Sequence, residues 1–371
     1  MLDLVPKRVE HGTDLVELAA RRFSEVVDQL DIAAMMSRVM SGHLSDRVSN
    51  TRVTPSVGDR VRWLAKLALS GGVLVFLLQR VEAQGVVDAL GGVKPGFLLL
   101  ALCLYVAGQL VSARKWEMLA SALGFRRSYR EYATFYFIGM FVNLLGPSTV
   151  GGDLARGLFL GGSGRRALAL TSVLFDRASG LVVLVVLGLS ALLVFPQYEL
   201  PPVLVVLTTG MVVLLLLSWW ILPRVVALVL PSDHRLRLVV ERALGPFWRD
   251  GALLGRVAAV SAGFHLIEMT VQYVVARALG LEVPFSYCLI FHPAVSVLAA
   301  IPISVAGLGV REGGYVFFLE LVGVEDATAL TFGLLWFAIT VVGALPGGLL
   351  LMLRNGRGRE IVASGVGDGP A

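Results

Sequence analysis

Two apolar stretches of the sequence are each interrupted by a short run that combines proline, glycine and charged residues. The first run reads PSTVGGDLARG (147–157) and the second reads PISVAGLGVREGG (302–314). Each run brings opposite charges together: Asp153 and Arg156 in the first, Arg311 and Glu312 in the second. Arginine presents paired N–H donors that match the oxygens of a phosphate group. The two runs are therefore candidates for binding an anionic, phosphate-bearing molecule.

Proline and glycine in these runs predict that each apolar segment is a helix broken near its middle. The positions that would form the two tips are Pro147, Gly151, Gly152, Pro302, Gly307, Gly309 and Gly313. A half-helix that starts after such a break points free backbone N–H groups and the positive end of its dipole at the tip, and both favour an anion. Glycine also lets the backbone approach a ligand closely.

Further ionisable residues fall inside apolar segments, where such groups usually face a cavity or each other. Asp176 stands about 14 Å into its helix at 1.5 Å per residue. We expect one substrate-binding site from Asn143, Asp153, Arg156, Asp176, Arg177, Glu268, Arg311 and Glu312. The alternative is that these charges satisfy one another. Asp153 would then cap a half-helix and pair with Arg156, and Asp176 would pair with an arginine across the interface.

The elements that must position these residues are predicted to be membrane helices. The chain has 371 residues, of which 56% are hydrophobic and 16% charged, and its mean hydropathy is +0.77. A soluble domain is usually about one quarter charged, and a spanning helix needs about 20 mostly apolar residues. Such segments occur at 62–80, 96–113, 167–195, 200–222, 256–279 and 327–353. The two broken regions are 132–162 and 285–322.

Basic residues predict the orientation, because loops rich in Lys and Arg remain in the cytoplasm. The loops 114–130 and 223–255 are basic, whereas the other connections are poor in such residues, which places both termini in the cytoplasm. Each broken region then begins and ends on one side, as a re-entrant hairpin does. The fold class predicted is an all-α polytopic membrane protein with about six spanning helices and two re-entrant hairpins, a probable inverted repeat. The rival interpretation makes the broken regions full spans, giving about eight helices.

The chain ends are predicted to differ from the membrane region. Residues 1–61 are expected to be a cytoplasmic extension, part amphipathic helix and part linker, and 354–371 a disordered cytoplasmic tail. Residues 62–353 would form the membrane domain. The apolar spacing in 14–40 is typical of a helix that lies on a membrane surface or binds a partner.

Other chemistry has little support in the sequence. His265 and Glu268 share one helical face, but no H-E-x-x-H or P-loop motif is present, so we expect neither a metal nor another cofactor. Cys103 and Cys288 both lie in apolar runs, which is not the pattern of a disulfide framework.

Three ordered motifs resemble the lysylphosphatidylglycerol synthase transmembrane family, also called the flippase-like domain. They read FVNLLGPSTVGGDLARG, SVLFDRASGLVVLVVLG and PISVAGLGVREGGYVFF, and the resemblance runs from about residue 62 to 353. It implies a membrane domain associated with lipid translocation. Larger relatives carry a soluble aminoacyl-transferase domain; only short charged ends flank the motifs here, so we do not expect that chemistry and expect a protein that is not an enzyme.

The resulting hypothesis is a multi-pass protein of the cytoplasmic (inner) membrane that moves a phospholipid or a polyprenyl-phosphate-linked lipid between leaflets. Its partners would be lipids with anionic phosphate head groups, not nucleic acid. Two alternatives stay open. One is a membrane-embedded lipid-linked transferase that uses Asp153 or Glu312 as a base. The other is a non-catalytic partner of a cell-envelope enzyme, recruited through the N-terminal helix.

Overall fold

The described part of the protein is helical throughout. A computed structural model describes residues 83–145, 150–162, 164–198, 202–229, 245, 247, 250–300 and 309–364, and within these ranges no strand occurs. All of them belong to one unit, Val57–Ala371. Several predictions lie outside the described residues: the extension 1–61, the span 62–80, and the tip residues Pro147, Pro302 and Gly307. The all-α fold class is confirmed.

In the part of the chain that the structure describes, four long helices are apolar enough to cross a membrane. They are α2 (Pro95–Ala122), α5 (Arg166–Val194), α7 (Gly251–Ala278) and the Asp326–Arg354 part of α10, which runs from Asp326 to Ser364. The predicted spans 96–113, 167–195, 256–279 and 327–353 are thereby confirmed as helices of spanning length. Residues 202–222 of the span predicted at 200–222 lie within α6 (Pro202–Val229).

Helix boundaries follow local sequence signals. Pro95 stands in the first turn of α2, where the backbone N–H that proline lacks would have no partner within the helix. The Asp250 carboxylate accepts a hydrogen bond from the Leu253 N–H at 2.8 Å and caps the beginning of α7. A short helix that the sequence interpretation missed, α1 (Ala83–Gly91), occupies the connection 81–95.

Each broken region is a pair of helices packed against each other. The first pair is α3 (Tyr129–Leu145) and α4 (Val150–Gly161); the second is α8 (Phe285–Ala300) and α9 (Val310–Glu320). At 1.5 Å per residue, α4 and α9 are about 18 Å and 17 Å long, against about 30 Å for the hydrocarbon core of a bilayer. Each predicted broken region therefore holds one described helix before its predicted tip and a second one after it.

The first pair begins and ends at the same end of the helix bundle. Arg165 follows α4 in the sequence. Its guanidinium donates hydrogen bonds to the carbonyl oxygens of Leu123 (2.5 Å) and Gly124 (2.9 Å), which precede α3. It also lies 4.2 Å from the ring centre of Phe125. The Arg354 guanidinium, at the end of the spanning part of α10, lies 5.0 Å from the ring centre of Phe135 on α3. We call this the basic end.

The second pair begins and ends at the opposite end of the bundle. The Tyr287 hydroxyl at the beginning of α8 donates to the Phe318 carbonyl oxygen near the end of α9 at 2.5 Å. Tyr198, just after α5, contacts Ser286 through their hydroxyls at 3.1 Å. The Lys94 N–H before α2 donates to the carbonyl oxygen of Ala278, where α7 ends. The two helix pairs therefore enter the bundle from opposite ends.

Glycine permits the closest helix crossings in the first pair. A Cβ on Gly152 of α4 would lie 1.8 Å from the Gly139 carbonyl oxygen of α3, so only glycine fits there. On the other side of α3, a Cβ on Gly347 of α10 would lie 1.9 Å from the Phe137 carbonyl oxygen. These contacts show that α3 packs closely between α4 and α10.

The outer surface of the described helices is rich in exposed apolar side chains. Leu174, Leu193, Val206 and Leu228 are each more than two thirds exposed. Such a surface is unfavourable in water and is what a lipid-facing helix presents. The protein is therefore a multi-pass membrane protein, while the exact number of spans and the re-entrant path of the hairpins stay predictions.

Candidate functional site

The beginning of α4 is fixed to the end of α3 across the first tip. The Asn143 side-chain oxygen accepts a hydrogen bond from the Gly152 N–H at 2.7 Å. This bond occupies one of the free N–H groups at the start of α4. Asn143, expected among the substrate-binding residues, therefore contacts the tip backbone itself.

Asp153, one residue further along α4, binds two arginines. Its Oδ1 lies 3.2 Å from Nε of Arg156, on the same helix. Its two carboxylate oxygens also accept from Arg177 of α5, at 2.8 Å from Nε and 3.0 Å from Nη2. The carboxylate thus grips one edge of the Arg177 guanidinium in a bidentate pair.

Arg156 is enclosed in the protein. Its Nη2 donates to Oδ2 of Asp176 on α5 at 2.8 Å, and the residue is 3% exposed. The guanidinium lies 5.0 Å from the ring centres of both Trp116 and Tyr136, a cation–π arrangement on two sides. Within the described part of the chain, its Nη1 atom has no hydrogen-bond partner.

Lys115 of α2 completes the cluster and was missed by the sequence interpretation. Its Nζ lies 3.0 Å from Oδ1 of Asp176 and donates to the Asp176 backbone carbonyl at 2.9 Å. It is 3% exposed. The charge pattern of the sequence places it in the basic loop 114–130, but helix α2 continues to Ala122 and its side chain is buried. The signal in the sequence that could have indicated burial at this position is the neighbouring Trp116, an apolar residue in a basic loop.

These five residues form what we call the first-tip network: Lys115, Asp153, Arg156, Asp176 and Arg177. It contains three cations and two anions, so its formal charge is +1 when all are ionised. One member differs from the rest in exposure. The Arg177 side chain is 57% exposed, against 19% for Asp153 and 3–4% for the other three.

The second tip carries a smaller arrangement, the second-tip pair of Arg311 and Glu312. Arg311 donates from Nε (3.1 Å) and Nη2 (2.8 Å) to Oε1 of the adjacent Glu312. The other carboxylate oxygen accepts from the Gly309 N–H at 2.7 Å, which closes the first turn of α9. Gly309 has φ +81°, a conformation that glycine adopts without strain.

The second tip contacts the middle part of α10. The Arg311 guanidinium lies 5.5 Å from the ring centre of Phe337. From the crossing of Phe137 with Gly347, Leu145 at the end of α3 lies about 12 Å further along, near the level of Ile339. Among the described residues no ion pair joins the first-tip network to the second-tip pair.

Glu268 of α7 stands apart from both sets of charges. Its Oε1 accepts from the Gln109 side-chain amide at 3.1 Å, and it is 6% exposed. His265, one turn earlier, has its Nε2 atom 2.9 Å from the Gly180 carbonyl oxygen. In the described ranges, no three His, Cys, Asp or Glu side chains group as ligands of a metal ion would.

The site and the fold together define a class: a helical, multi-pass membrane protein with a buried ion network between its candidate spanning helices. The family model for the lysylphosphatidylglycerol synthase TM region matches residues 63–347. The match covers most of the chain, so the protein belongs to this family, and the family indicated by the sequence motifs is confirmed. It includes both tips, the first-tip network and Glu268. The chain has no significant match among the curated proteins.

Proposed function

We propose that this protein moves a phosphate-bearing lipid, either a phospholipid or a polyprenyl-phosphate-linked lipid, between the leaflets of the cytoplasmic membrane. The observation that carries the proposal is the exposure of Arg177. This residue is 57% exposed although it lies about 16 Å from the first residue of its spanning helix. A charged group at that depth is unfavourable against acyl chains, so it requires a polar cavity or a lipid head group.

The first-tip network has the chemistry of a phosphate site. Asp153 grips the Nε–Nη2 edge of Arg177 and so directs Nη1 away from the carboxylate. Arginine fixed in this way is preorganised to donate to phosphate oxygens. The excess of one cation over the anions also means that a bound phosphate improves the charge balance, which matters most where water is scarce.

We further propose that the two helix pairs are re-entrant hairpins whose tips flank the path of the head group, while the acyl chains remain in the bilayer. The contacts of Arg165 with Leu123 and of Tyr287 with Phe318 support this path, because they bring the two ends of each pair together. The basic end would face the cytoplasm, with both chain termini, by the rule that Lys and Arg remain inside.

Lipid exchange in proteoliposomes tests the proposed movement. A fluorescent phosphatidylglycerol in the inner leaflet is protected from a membrane-impermeant quencher until it crosses, so quenching reports exchange. We expect wild-type protein to accelerate exchange and Arg177→Ala to slow it by about tenfold or more, the loss of one charged hydrogen bond. Arg126→Ala, at an exposed arginine of the basic end, is the matched control.

Two controls separate the alternatives. A labelled glycolipid without phosphate should not be moved by the wild-type protein. Thin-layer analysis of the recovered lipid should show no chemical change; a modified product would instead favour a transferase. Exchange at the rate of empty vesicles in the wild type would contradict the proposal.

The hairpin topology has an independent test. Single cysteines at Ser128 and Gly164, both exposed, flank the first helix pair in a background without Cys103 and Cys288. A membrane-impermeant maleimide should label both from the same side. Labelling from opposite sides would remove the re-entrant path.

A further inference from the structure

Among the described residues, Glu268 differs from Asp153, Asp176 and Glu312 in having no ion-pair partner. Asp153, Asp176 and Glu312 each lie within 3.2 Å of a Lys or Arg nitrogen. For Glu268, the described residues provide one hydrogen bond, from the neutral Gln109 amide, and no ion pair. An isolated carboxylate in a low-dielectric interior is strongly unfavourable, whereas a carboxylic acid is tolerated.

Glu268 belongs to a continuous polar face of α7. Ser261, His265, Glu268 and Gln272 are spaced by four, three and four residues, and all are buried. That spacing places them on one side of a helix. Oγ of Ser261, Nδ1 of His265 and Oε1 of Gln272 have no hydrogen-bond partner within the described ranges. Unpartnered polar atoms in a row suit water or a transferred proton better than they suit static packing.

The polar face connects the first-tip network with the opposite half of the bundle. At one end it meets Gly180 of α5, where a Cβ would lie 3.0 Å from Lys115 Nζ, 3.8 Å from His265 Nε2 and 4.0 Å from Ser261 Oγ. At the other end, the Gln272 amide donates to the Tyr315 hydroxyl of α9 at 2.7 Å. Glu268 lies between these two ends.

The titratable groups around Glu268 come from every helix packed on α7. From α2 come Tyr105, which interacts electrostatically with Glu268, Arg177 and Arg311, and Lys115, which is bound to Asp176. Asp176 of α5 and His292 of α8 both interact with His265, and Tyr315 of α9 interacts with Glu268. On α10, Asp326 and Arg354 stand at the two ends of the spanning part. None of these cations pairs with Glu268.

We infer that Glu268 is a proton-exchanging residue: it is a neutral carboxylic acid in this buried arrangement and releases its proton when the polar face of α7 becomes hydrated. The step is a simple acid dissociation, in which the carboxyl O–H bond breaks, the carboxylate remains on Glu268 and water accepts the proton. We extend this to the lipid cycle, with one proton exchanged for each lipid moved; this extension rests on the function proposed above.

The coupling has a quantitative consequence. A gradient of one pH unit corresponds to about 1.4 kcal/mol per proton, or a factor of ten in an equilibrium ratio. With one proton per lipid, such a gradient shifts the leaflet distribution of the substrate lipid up to about tenfold. Without coupling the protein only equilibrates the leaflets.

Protonation of Glu268 is tested on the wild-type protein. A hydrophobic carbodiimide reacts with carboxyl groups at membrane depth through their protonated form, and the adduct is located by peptide mass spectrometry. In liposomes at neutral pH we expect an adduct on Glu268, decreasing as the pH is raised, and none on Asp176. Absence of the Glu268 adduct, or equal reaction at both residues, would overturn the inference, and neither result bears on lipid movement.

Coupling is tested with a pH gradient across the same proteoliposomes. Wild-type protein should shift the distribution of labelled phosphatidylglycerol, Glu268→Gln should abolish the shift, and Glu268→Asp should restore part of it. If the wild-type protein exchanges lipid but the pH gradient does not change the leaflet distribution, the coupling is overturned and the proposed lipid movement is not. If the wild type moves no lipid, the proposed function and the coupling fail together, and the carbodiimide result still decides whether Glu268 is protonated.

Discussion

The two tips share a sequence pattern but compensate their charges in different ways. The first-tip network draws residues from three helices, α2, α4 and α5, and holds three cations against two anions. The second-tip pair lies within one turn of α9, where a single glutamate both binds its neighbouring arginine and caps the helix. Similar short motifs entering from opposite ends of the bundle have therefore produced two unlike sites.

The difference indicates a division of labour. The second-tip pair is balanced in charge, and its arginine is 15% exposed. The first-tip network contains one cation more than it has anions, and it exposes Arg177 within a candidate spanning helix. On these grounds the proposed phosphate binding is placed at the first tip rather than at the second.

The largest difference in the free energy of unfolding is expected between variants that remove one acid from the first-tip network or from the second-tip pair. Asp176→Asn leaves Lys115 and Arg156 buried without their shared carboxylate, and breaking a buried pair in this way costs about 3–5 kcal/mol. Glu312→Gln removes one pair whose arginine is partly exposed and retains a side-chain oxygen for the cap, so we expect about 1–3 kcal/mol. Thermal unfolding in detergent compares the two. Equal losses would show that the tips are energetically equivalent.

A smaller contrast is expected within the first tip, between adjacent glycines. Gly152→Ala places a Cβ 1.8 Å from the Gly139 carbonyl oxygen, so α3 and α4 must separate. Overpacking of this kind costs about 1–3 kcal/mol. Gly151→Ala is the matched control, because its Cβ would meet its nearest neighbour at 4.0 Å. The same unfolding measurement should leave Gly151→Ala close to the wild type; a comparable loss in both would argue against the close crossing.

The smallest effect is expected at the aromatic wall of the network. Tyr136→Phe removes the hydrogen bond from its hydroxyl to Ser112 Oγ (2.8 Å) but keeps the ring against Arg156. We expect a loss of about 0.5–1.5 kcal/mol. Tyr136→Leu also removes the cation–π contact, which adds about 0.5–2 kcal/mol. If the two variants unfold at the same temperature, the ring contributes nothing to holding Arg156.

Much of the fold follows from the sequence because long apolar runs have few alternatives in a membrane. Among the described residues, the four long helices lie close to their predicted positions, and separate helices flank each predicted break, since proline and glycine mark where a helix ends. Helix α1 was missed because AQGVVDALG is short and lies in a connection. Pro147, Pro302 and Gly307 lie outside the described residues, so their place at the tips stays a prediction.

The candidate site was predicted less completely than the fold. The pairing of Asp153 with Arg156 follows from their spacing on a helix, and an arginine partner for Asp176 was one of the two interpretations left open. The partners contributed by other helices could not be deduced, because contacts such as Lys115 with Asp176 depend on packing between α2 and α5. A lysine in a basic loop is ordinarily a surface charge. This one is buried, because α2 extends past it to Ala122.

Lipid binding to matched arginine variants tests the central claim most directly. Arg177→Gln and Arg311→Gln each remove one cation, one from each tip, and Arg177→Lys keeps the charge without the bidentate geometry. Native mass spectrometry of the purified protein titrated with phosphatidylglycerol reports the apparent affinity. We predict a loss of about tenfold to 100-fold for Arg177→Gln, a smaller loss for Arg177→Lys and little change for Arg311→Gln. Equal losses at the two tips, or no loss at Arg177, would contradict the assignment of phosphate binding to the first-tip network.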